Sequence, residues 1–176
     1  MNMDDLKKAI RSIPDFPKKG IVFYDITSLL ENPKAFDQTL DMMEKYCRER
    51  KANKIVAIES RGFIFGGALA NRLGNSLVLI RKPGKLPGET ISQEYELEYG
   101  TDKIEMHTDS IDKGDSVIMI DDLVATGGTL KAACKLVEKA GGKIAGISVL
   151  VDLAFIPWRE KLKGYDIQAL VKYDSE

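Results

Sequence analysis

The segment Val117-Ile118-Met119-Ile120-Asp121-Asp122-Leu123-Val124-Ala125-Thr126-Gly127-Gly128-Thr129 concentrates the chemistry of this 176-residue chain. An apolar run leads into two adjacent carboxylates, and a turn carrying two glycines then opens a helix-like stretch. Consecutive backbone N–H groups in such a turn converge on one point, and the helix dipole adds partial positive charge there. Gly127 and Gly128 let the main chain approach a phosphate closely, and the hydroxyls of Thr126 and Thr129 add hydrogen bonds beside the N–H groups of residues 125–129. The spacing is neither GxxxxGK[ST] nor GxGxxG. Carboxylates repel phosphate, so Asp121 and Asp122 must face something else: sugar hydroxyls, or a metal carried on a phosphate. The plain alternative is an ordinary strand–turn–helix connection with solvated aspartates.

Further polar residues gather where apolar runs stop. Glu59-Ser60-Arg61 follows the run 54–58 and reads either as an anion-binding loop or as a helix N-cap at Ser60 with a surface arginine. Lys82 and Lys85 lie in Lys82-Pro83-Gly84-Lys85-Leu86-Pro87-Gly88, as solvated loop charges or as partners of an anion. Glu98 and Tyr99 precede Gly100 in a hairpin-like stretch, where a glutamate faces solvent unless it closes over a ligand. His107, the one histidine, reads as a strand-surface residue, and Trp158 as core or interface packing.

The elements that must position these groups are legible from periodicity and turn chemistry. A short helix is expected over 4–12, stopped by Pro14 and Pro17, and an extended segment over 20–25. Asn32-Pro33 combines an N-cap side chain with proline at the first helical position. Phe36, Leu40, Met43 and Cys47 then recur on one helical face, and the basic run 48–51 complements the dipole at its end. From residue 54 short apolar strands alternate with helices: strands over 54–59, 76–80, 116–120, 143–151 and 167–171, helices through Leu73 and from Gly127-Gly128 to Ala140. That alternation predicts an α/β fold with a parallel sheet covered on both faces. Ligands of such sheets bind at the carboxyl ends of the strands, where Glu59-Ser60-Arg61, Arg81-Lys82 and Asp121-Asp122 all fall. Residues 81–115 break the rhythm, with a proline- and glycine-rich loop and two strands, 94–99 and 102–107, about Gly100-Thr101. An insertion of this kind at the ligand edge reads as a lid.

Composition excludes several classes. The 44% hydrophobic and 30% charged fractions are those of a globular chain, not a disordered or collagen-like one. With 26 basic and 27 acidic residues the net charge is −1, so no general basic field attracts nucleic acid or an anionic membrane. Cys47 and Cys134 form no metal or redox motif and are expected as small buried residues in a reducing compartment. The start lacks the layout of a secretory signal, and no apolar run approaches the length of a membrane span. A cytoplasmic protein of one domain, 1–176, is the expectation.

The 117–129 segment resembles the phosphoribosyl-pyrophosphate signature of the type I phosphoribosyltransferases. The remainder is similar to those members that act on adenine, in Ile13-Pro14-Asp15-Phe16-Pro17, Gly20-Ile21-Val22-Phe23, Asp25-Ile26-Thr27 and Glu59-Ser60-Arg61-Gly62-Phe63. The likeness continues through Leu79-Ile80-Arg81-Lys82-Pro83-Gly84-Lys85-Leu86-Pro87-Gly88 and Leu97-Glu98-Tyr99-Gly100. The resemblance implies a central parallel sheet flanked by helices, a small N-terminal hood over 1–32 that binds the base, and a flexible lid over 81–110. It implies purine salvage: magnesium-dependent transfer of ribose-5-phosphate from phosphoribosyl pyrophosphate (PRPP) to N9 of adenine, giving AMP and pyrophosphate. Ala125, Thr126, Gly127, Gly128 and Thr129 would hold the 5′-phosphate, and Asp121 and Asp122 the ribose hydroxyls. Glu59, Ser60, Arg61, Lys82, Lys85 and Tyr99 would meet the pyrophosphate, with a cis peptide between Glu59 and Ser60. Val22, Phe23 and Tyr24 would read adenine, and Glu98 would act as general acid/base, with Arg61 and the aspartates completing the catalytic set. Magnesium would ride on PRPP and water rather than in a protein cage, and a homodimer is implied. Tyr24 stands where arginine is common in the family, Glu59 where aspartate is, and Lys19 where proline is.

Alternatives remain on sequence grounds. One is transfer to hypoxanthine, xanthine or orotate with the same phosphate machinery. From another class, a regulator would bind the diphosphate only as an effector, but a DNA-binding regulator needs a basic module that this charge balance does not supply.

Overall fold

The computed structural model describes residues 3–96 and 100–175. In chain order the elements are α1 (Met3–Ala9), β1 (Arg11–Ile13), β2 (Phe23–Asp25), α2 (Thr27–Leu30), α3 (Pro33–Arg50), β3 (Lys54–Ile58), α4 (Gly62–Leu73) and β4 (Ser76–Ile80). The hairpin β5 (Thr90–Glu96) and β6 (Thr101–His107) follows, then β7 (Ser116–Val124), α5 (Gly128–Lys139), β8 (Lys143–Leu153) and β9 (Ile167–Tyr173).

Five strands form the central sheet in the order β4-β3-β7-β8-β9, every neighbouring pair parallel. Alternation along β7 builds the two cores: Ile118 and Ile120 face a layer with Leu40, Met43, Phe65 and Leu69 from α3 and α4. Val117 and Met119 face the other, with Leu130, Ala133, Leu136 and Val137 of α5. Burial on both faces is why these strands carry continuous apolar runs. From β3 the chain crosses outward to β4, and from β7 it crosses the other way to β8. The β3–β7 junction is therefore a topological switch point, the place where open parallel sheets leave a crevice.

The helix start at Asn32 is as the sequence predicts. Its side chain accepts from the N–H groups of Lys34 and Ala35, both at 3.2 Å, and α3 ends on Lys51 in a left-handed conformation, φ 51°. Both cysteines are buried and free, and burial pushes both thiols up to about 12.

Some boundaries differ from expectation. The helix expected over 4–12 ends at Ala9, and Arg11–Ile13 instead pairs antiparallel with β2, Ser12 opposite Tyr24. Ile13 precedes a proline, which disfavours helical backbone. The one-turn helix α2 is too short to show a helical period in the sequence. Strands β7, β8 and β9 run past their apolar cores because main-chain pairing continues through Val124–Asp152 and Asp152–Lys172. Asp121 and Asp122 thus lie within β7 rather than beyond its end. In the hairpin, Thr101 is a strand residue paired with Glu96, not part of the turn, and β5 begins at Thr90. Ile104 and Met106 of β6 are fully buried beneath α5, with Ile91 and Tyr95 at the edge of the same cluster. The base of the hairpin is therefore part of the core. Among the described residues no helix is long and apolar enough to cross a membrane.

Candidate active site

A cleft of about 330 Å³ opens at the carboxyl ends of β3 and β7, lined by 58–61, Lys82, Tyr95 and 121–130. Three backbone features build its floor. The Glu59–Ser60 peptide, between β3 and α4, is cis, and residues 58–61 line the cleft. Gly62 follows at the start of α4, and a Cβ there would lie 3.0 Å from Asp121 Oδ1 and 3.1 Å from the Ile120 carbonyl. Glycine thus lets α4 begin directly against the aspartate pair. Gly127, at φ 73°, turns the chain into α5.

No side chain among the described residues caps α5. The turn 125–129 therefore presents its N–H groups and the positive end of the helix dipole to the cleft. Thr126 is exposed, while Ala125, Gly128 and Thr129 are half-buried.

Asp122 is buried, and Arg61 Nε lies 2.7 Å from its Oδ2. The approach is off the N–H axis, so that oxygen has ionic contact but no directed hydrogen bond. Asp121 lies beside it, its Oδ1 accepting from the Asp122 N–H at 2.9 Å. Burial, together with the neighbouring Asp122 carboxylate, pushes the Asp121 carboxyl well above its ordinary range. Arg61 reaches the third component too, its guanidinium 5.6 Å from the Phe23 ring centre. It joins the aspartate pair to the N-terminal segment.

That segment presents Phe23 edge-on to Phe16, ring centres 5.2 Å apart. Tyr24 turns away into the core, stacked on Tyr173 at 3.7 Å, and donates to the Ser175 carbonyl at 3.3 Å. Strands β1 and β2 form a sheet of their own. Val22 packs at the margin of the core.

Glu59 and the lysines are arranged less simply than their spacing suggests. The Glu59 carboxylate accepts from the Lys82 N–H at 2.9 Å and from Arg81 Nε at 3.1 Å. Burial alone would raise its pKa, but those two donors hold it below the ordinary range. Its carboxylate thus braces the start of the 81–88 loop, leaving the main chain to face the cleft. Lys82 Nζ is ion-paired with Asp102 and donates to Tyr95 Oη at 3.1 Å, and that hydroxyl donates to Asp102 at 3.0 Å. Lys85 is exposed, its carbonyl accepting from Arg81 at 3.2 Å. Ser60 is exposed and α4 has no side-chain cap, so the N-cap alternative for Ser60 is not realised. Glu98 and Tyr99 lie outside the described residues. His107 takes no part in the cleft; its Nε2 lies 2.8 Å from the Pro87 carbonyl. Trp158 is core, as expected.

Sequence reasoning missed Tyr95 and Asp102, and placed Arg81 at the ligand edge without its bond to Glu59. Tyr95 sits against the 125–129 turn, its Cδ2 3.5 Å from where a Gly128 Cβ would be. No local pattern marks them, because each acts on a residue from another element.

The model of the phosphoribosyl transferase domain family matches residues 25–164, a span that takes in the carboxylate pair of β7, the uncapped start of α5 and the 59–61 loop at one switch point. The chain is 54% identical over 173 residues to the adenine phosphoribosyltransferase of Caldanaerobacter subterraneus subsp. tengcongensis, covering 98% of this chain and 100% of that one. The crystal structure of the enzyme of that name from Thermoanaerobacter pseudethanolicus superposes with a TM-score of 0.94 at 52% identity, covering 98% and 100% of the two chains. The Saccharomyces cerevisiae adenine phosphoribosyltransferase, solved with an imino-altritol bisphosphate and adenine, gives 0.91 at 38% identity, covering 96% and 98%. The chain belongs to the adenine phosphoribosyltransferases.

Proposed function

We propose that this chain transfers ribose-5-phosphate from PRPP to N9 of adenine, releasing pyrophosphate and forming AMP, as a purine-salvage enzyme. The observation that carries the reading is Arg61, which touches the aspartate pair on one side and approaches Phe23 on the other. A sugar held between the phosphate turn and the hood would have its anomeric carbon there.

The residues divide the work by charge. The N–H groups of 125–129 and the hydroxyls of Thr126 and Thr129 hold the 5′-phosphate. Asp121 and Asp122 accept from the ribose hydroxyls and stabilise the oxocarbenium character that develops as the bond from C1′ to the pyrophosphate oxygen breaks. The Glu59–Ser60–Arg61 main chain, the Arg61 guanidinium, Lys82, Lys85 and Tyr99 meet the departing pyrophosphate. Lys82 reaches it by exchanging Asp102 for the anion. As the C1′–N9 bond forms, Glu98 takes the N9 proton.

The residues fit a magnesium ion carried by the substrate. The Asp121–Asp122 pair would offer oxygen ligands to such an ion, which would keep several waters. Such an ion supplies charge neutralisation on the pyrophosphate.

Adenine is read by main chain. It presents an amino donor at C6 and an acceptor at N1, hypoxanthine the reverse, and the main chain of 22–24 carries both a carbonyl and an N–H. The burial of the Tyr24 side chain favours this over side-chain reading. Residues 1–32 form the hood and the distal part of 81–110 the lid, the buried base of the hairpin acting as its hinge. The protein is a cytoplasmic homodimer; Ile64 on α4 and Leu77 on β4 expose apolar surface suited to a partner.

Incubation with PRPP, magnesium and a panel of bases tests this. Adenine is expected to exceed hypoxanthine and guanine by about 10⁴ in kcat/KM, the scale on which a hydrogen-bonding site rejects a mismatched analogue. Tyr24→Phe keeps that preference. Comparable turnover of hypoxanthine refutes the base assignment, and absence of pyrophosphate release with every base refutes the transfer.

A further inference from the structure

Behind the phosphate turn lies a buried charged group that the transfer reaction does not use. Asp152, at the carboxyl end of β8, is 1% exposed and is held in the sheet between Val124 of β7 and Lys172 of β9. Its Oδ1 accepts from the Trp158 indole at 2.7 Å and its Oδ2 from the Arg159 guanidinium at 2.6 Å. Trp158 is likewise 1% exposed and forms the back wall of the turn. A Cβ at Gly127 would lie 3.2 Å from Trp158 Cβ and 3.4 Å from its carbonyl oxygen, with Leu162 Cδ1 at 3.6 Å.

We propose that Asp152 is a positioning residue for the 5′-phosphate turn, acting through Trp158. The sheet fixes Asp152, its carboxylate fixes the indole, and the Trp158 backbone and Cβ set how far Gly127 recedes. Both carboxylate oxygens are taken, so the tryptophan has one bonded placement. A buried carboxylate retained this way trades packing simplicity for a defined geometry. The turn needs that geometry because its N–H groups must converge on one anion, and displacements of about 1 Å in a binding cradle cost up to about 10²-fold. Arg159 closes the second oxygen and stacks its guanidinium 4.4 Å from the Trp158 ring centre, holding the same side chain from the solvent side.

The proposal rests on 125–129 being the 5′-phosphate site, and the test separates the two. Binding of AMP, ribose-5-phosphate and magnesium pyrophosphate is measured by calorimetry for wild type, Asp152→Ala, Asp152→Asn, Trp158→Phe and Thr129→Val. Asp152→Ala and Trp158→Phe are expected to weaken AMP and ribose-5-phosphate about tenfold or more, leaving magnesium pyrophosphate within twofold. Asp152→Asn keeps an acceptor for the indole and is expected to lose less, which a general loss of stability would not reproduce. Should Asp152→Ala not fold, Asp152→Asn and Trp158→Phe decide. Ribose-5-phosphate affinity within twofold of wild type in folded Asp152 and Trp158 variants overturns the proposal, as does equal weakening of pyrophosphate. Unchanged ribose-5-phosphate binding in Thr129→Val overturns the site reading itself.

Discussion

Gly127→Ala places one methyl group where the turn meets its back wall. At φ 73° an L-residue carries about 1–2 kcal/mol of left-handed backbone penalty. The new Cβ would stand 3.2 Å from Trp158 Cβ, inside the ordinary 3.5–4.0 Å carbon contact, and overpacking of this kind costs about 1–3 kcal/mol. Trp158 cannot yield cheaply, since it is buried and its indole is bonded to Asp152. The combined cost of roughly 2–5 kcal/mol is relieved by moving the turn toward the cleft, out of convergence. At about 1.4 kcal/mol per tenfold, even the lower figure weakens 5′-phosphate ligands about 30-fold. Calorimetry with AMP and the KM for PRPP measure this directly, with thermal unfolding as the check on folding. The adenine KM should change little, because the proposed base site is at 22–24, away from the turn. A folded variant whose AMP Kd and PRPP KM stay within twofold of wild type refutes the reasoning.

Glu98→Gln should lower kcat about 10²-fold or more while moving the substrate KM values little, as expected of a group that accepts a proton only in the transition state; unchanged kcat returns Glu98 to a solvent-facing role. Asp122→Asn removes the charge that, after burial, does most to raise the Asp121 pKa. If the ionised aspartate is required, wild-type kcat/KM falls with acid from above the ordinary carboxylate range, and that limb moves to lower pH in the variant; a limb that does not move contradicts the coupling. Asp115 is held at about 2 chiefly by Lys54, whose Nζ is 2.8 Å away. A carboxyl pKa lowered on folding adds stability that is complete above the unfolded value near 3.8 and is lost as pH falls toward 2. Asp115→Asn should therefore cost about 2 kcal/mol at pH 7 in denaturant unfolding and nearly nothing near pH 2, and an equal cost at both pH values refutes the assignment.

Local chemistry written in contiguous residues was readable directly. The Asn32-Pro33 helix start, the buried parallel strands and the carboxylates leading into the 125–129 turn depend on periodicity, capping and glycine at a left-handed position, all properties of neighbours in the chain. The pairing of Arg11–Ile13 with β2 was not readable, because three residues carry no periodicity and the partner strand lies ten residues away across a turn. The site shows the same division. Residue types at 59–61 and 121–129 mark candidate anion-binding loops beside a carboxylate pair, but not that Arg61 links Asp122 to Phe23. Nor did the sequence reveal that the Glu59 carboxylate braces Arg81 and Lys82, or that Tyr95 and Asp102 hold Lys82. Asp152 gives no local signal at all: it ends an apolar strand as many solvated aspartates do, and only the fold of 154–166 back over the turn buries it against Trp158. Hydrogen bonds and ion pairs between distant elements are fixed by strand order and the packing of loops over the sheet edge. Residue types in the chain supply the groups available for chemistry, and only strand order and loop packing set which of them face the cleft and which hold the others in place.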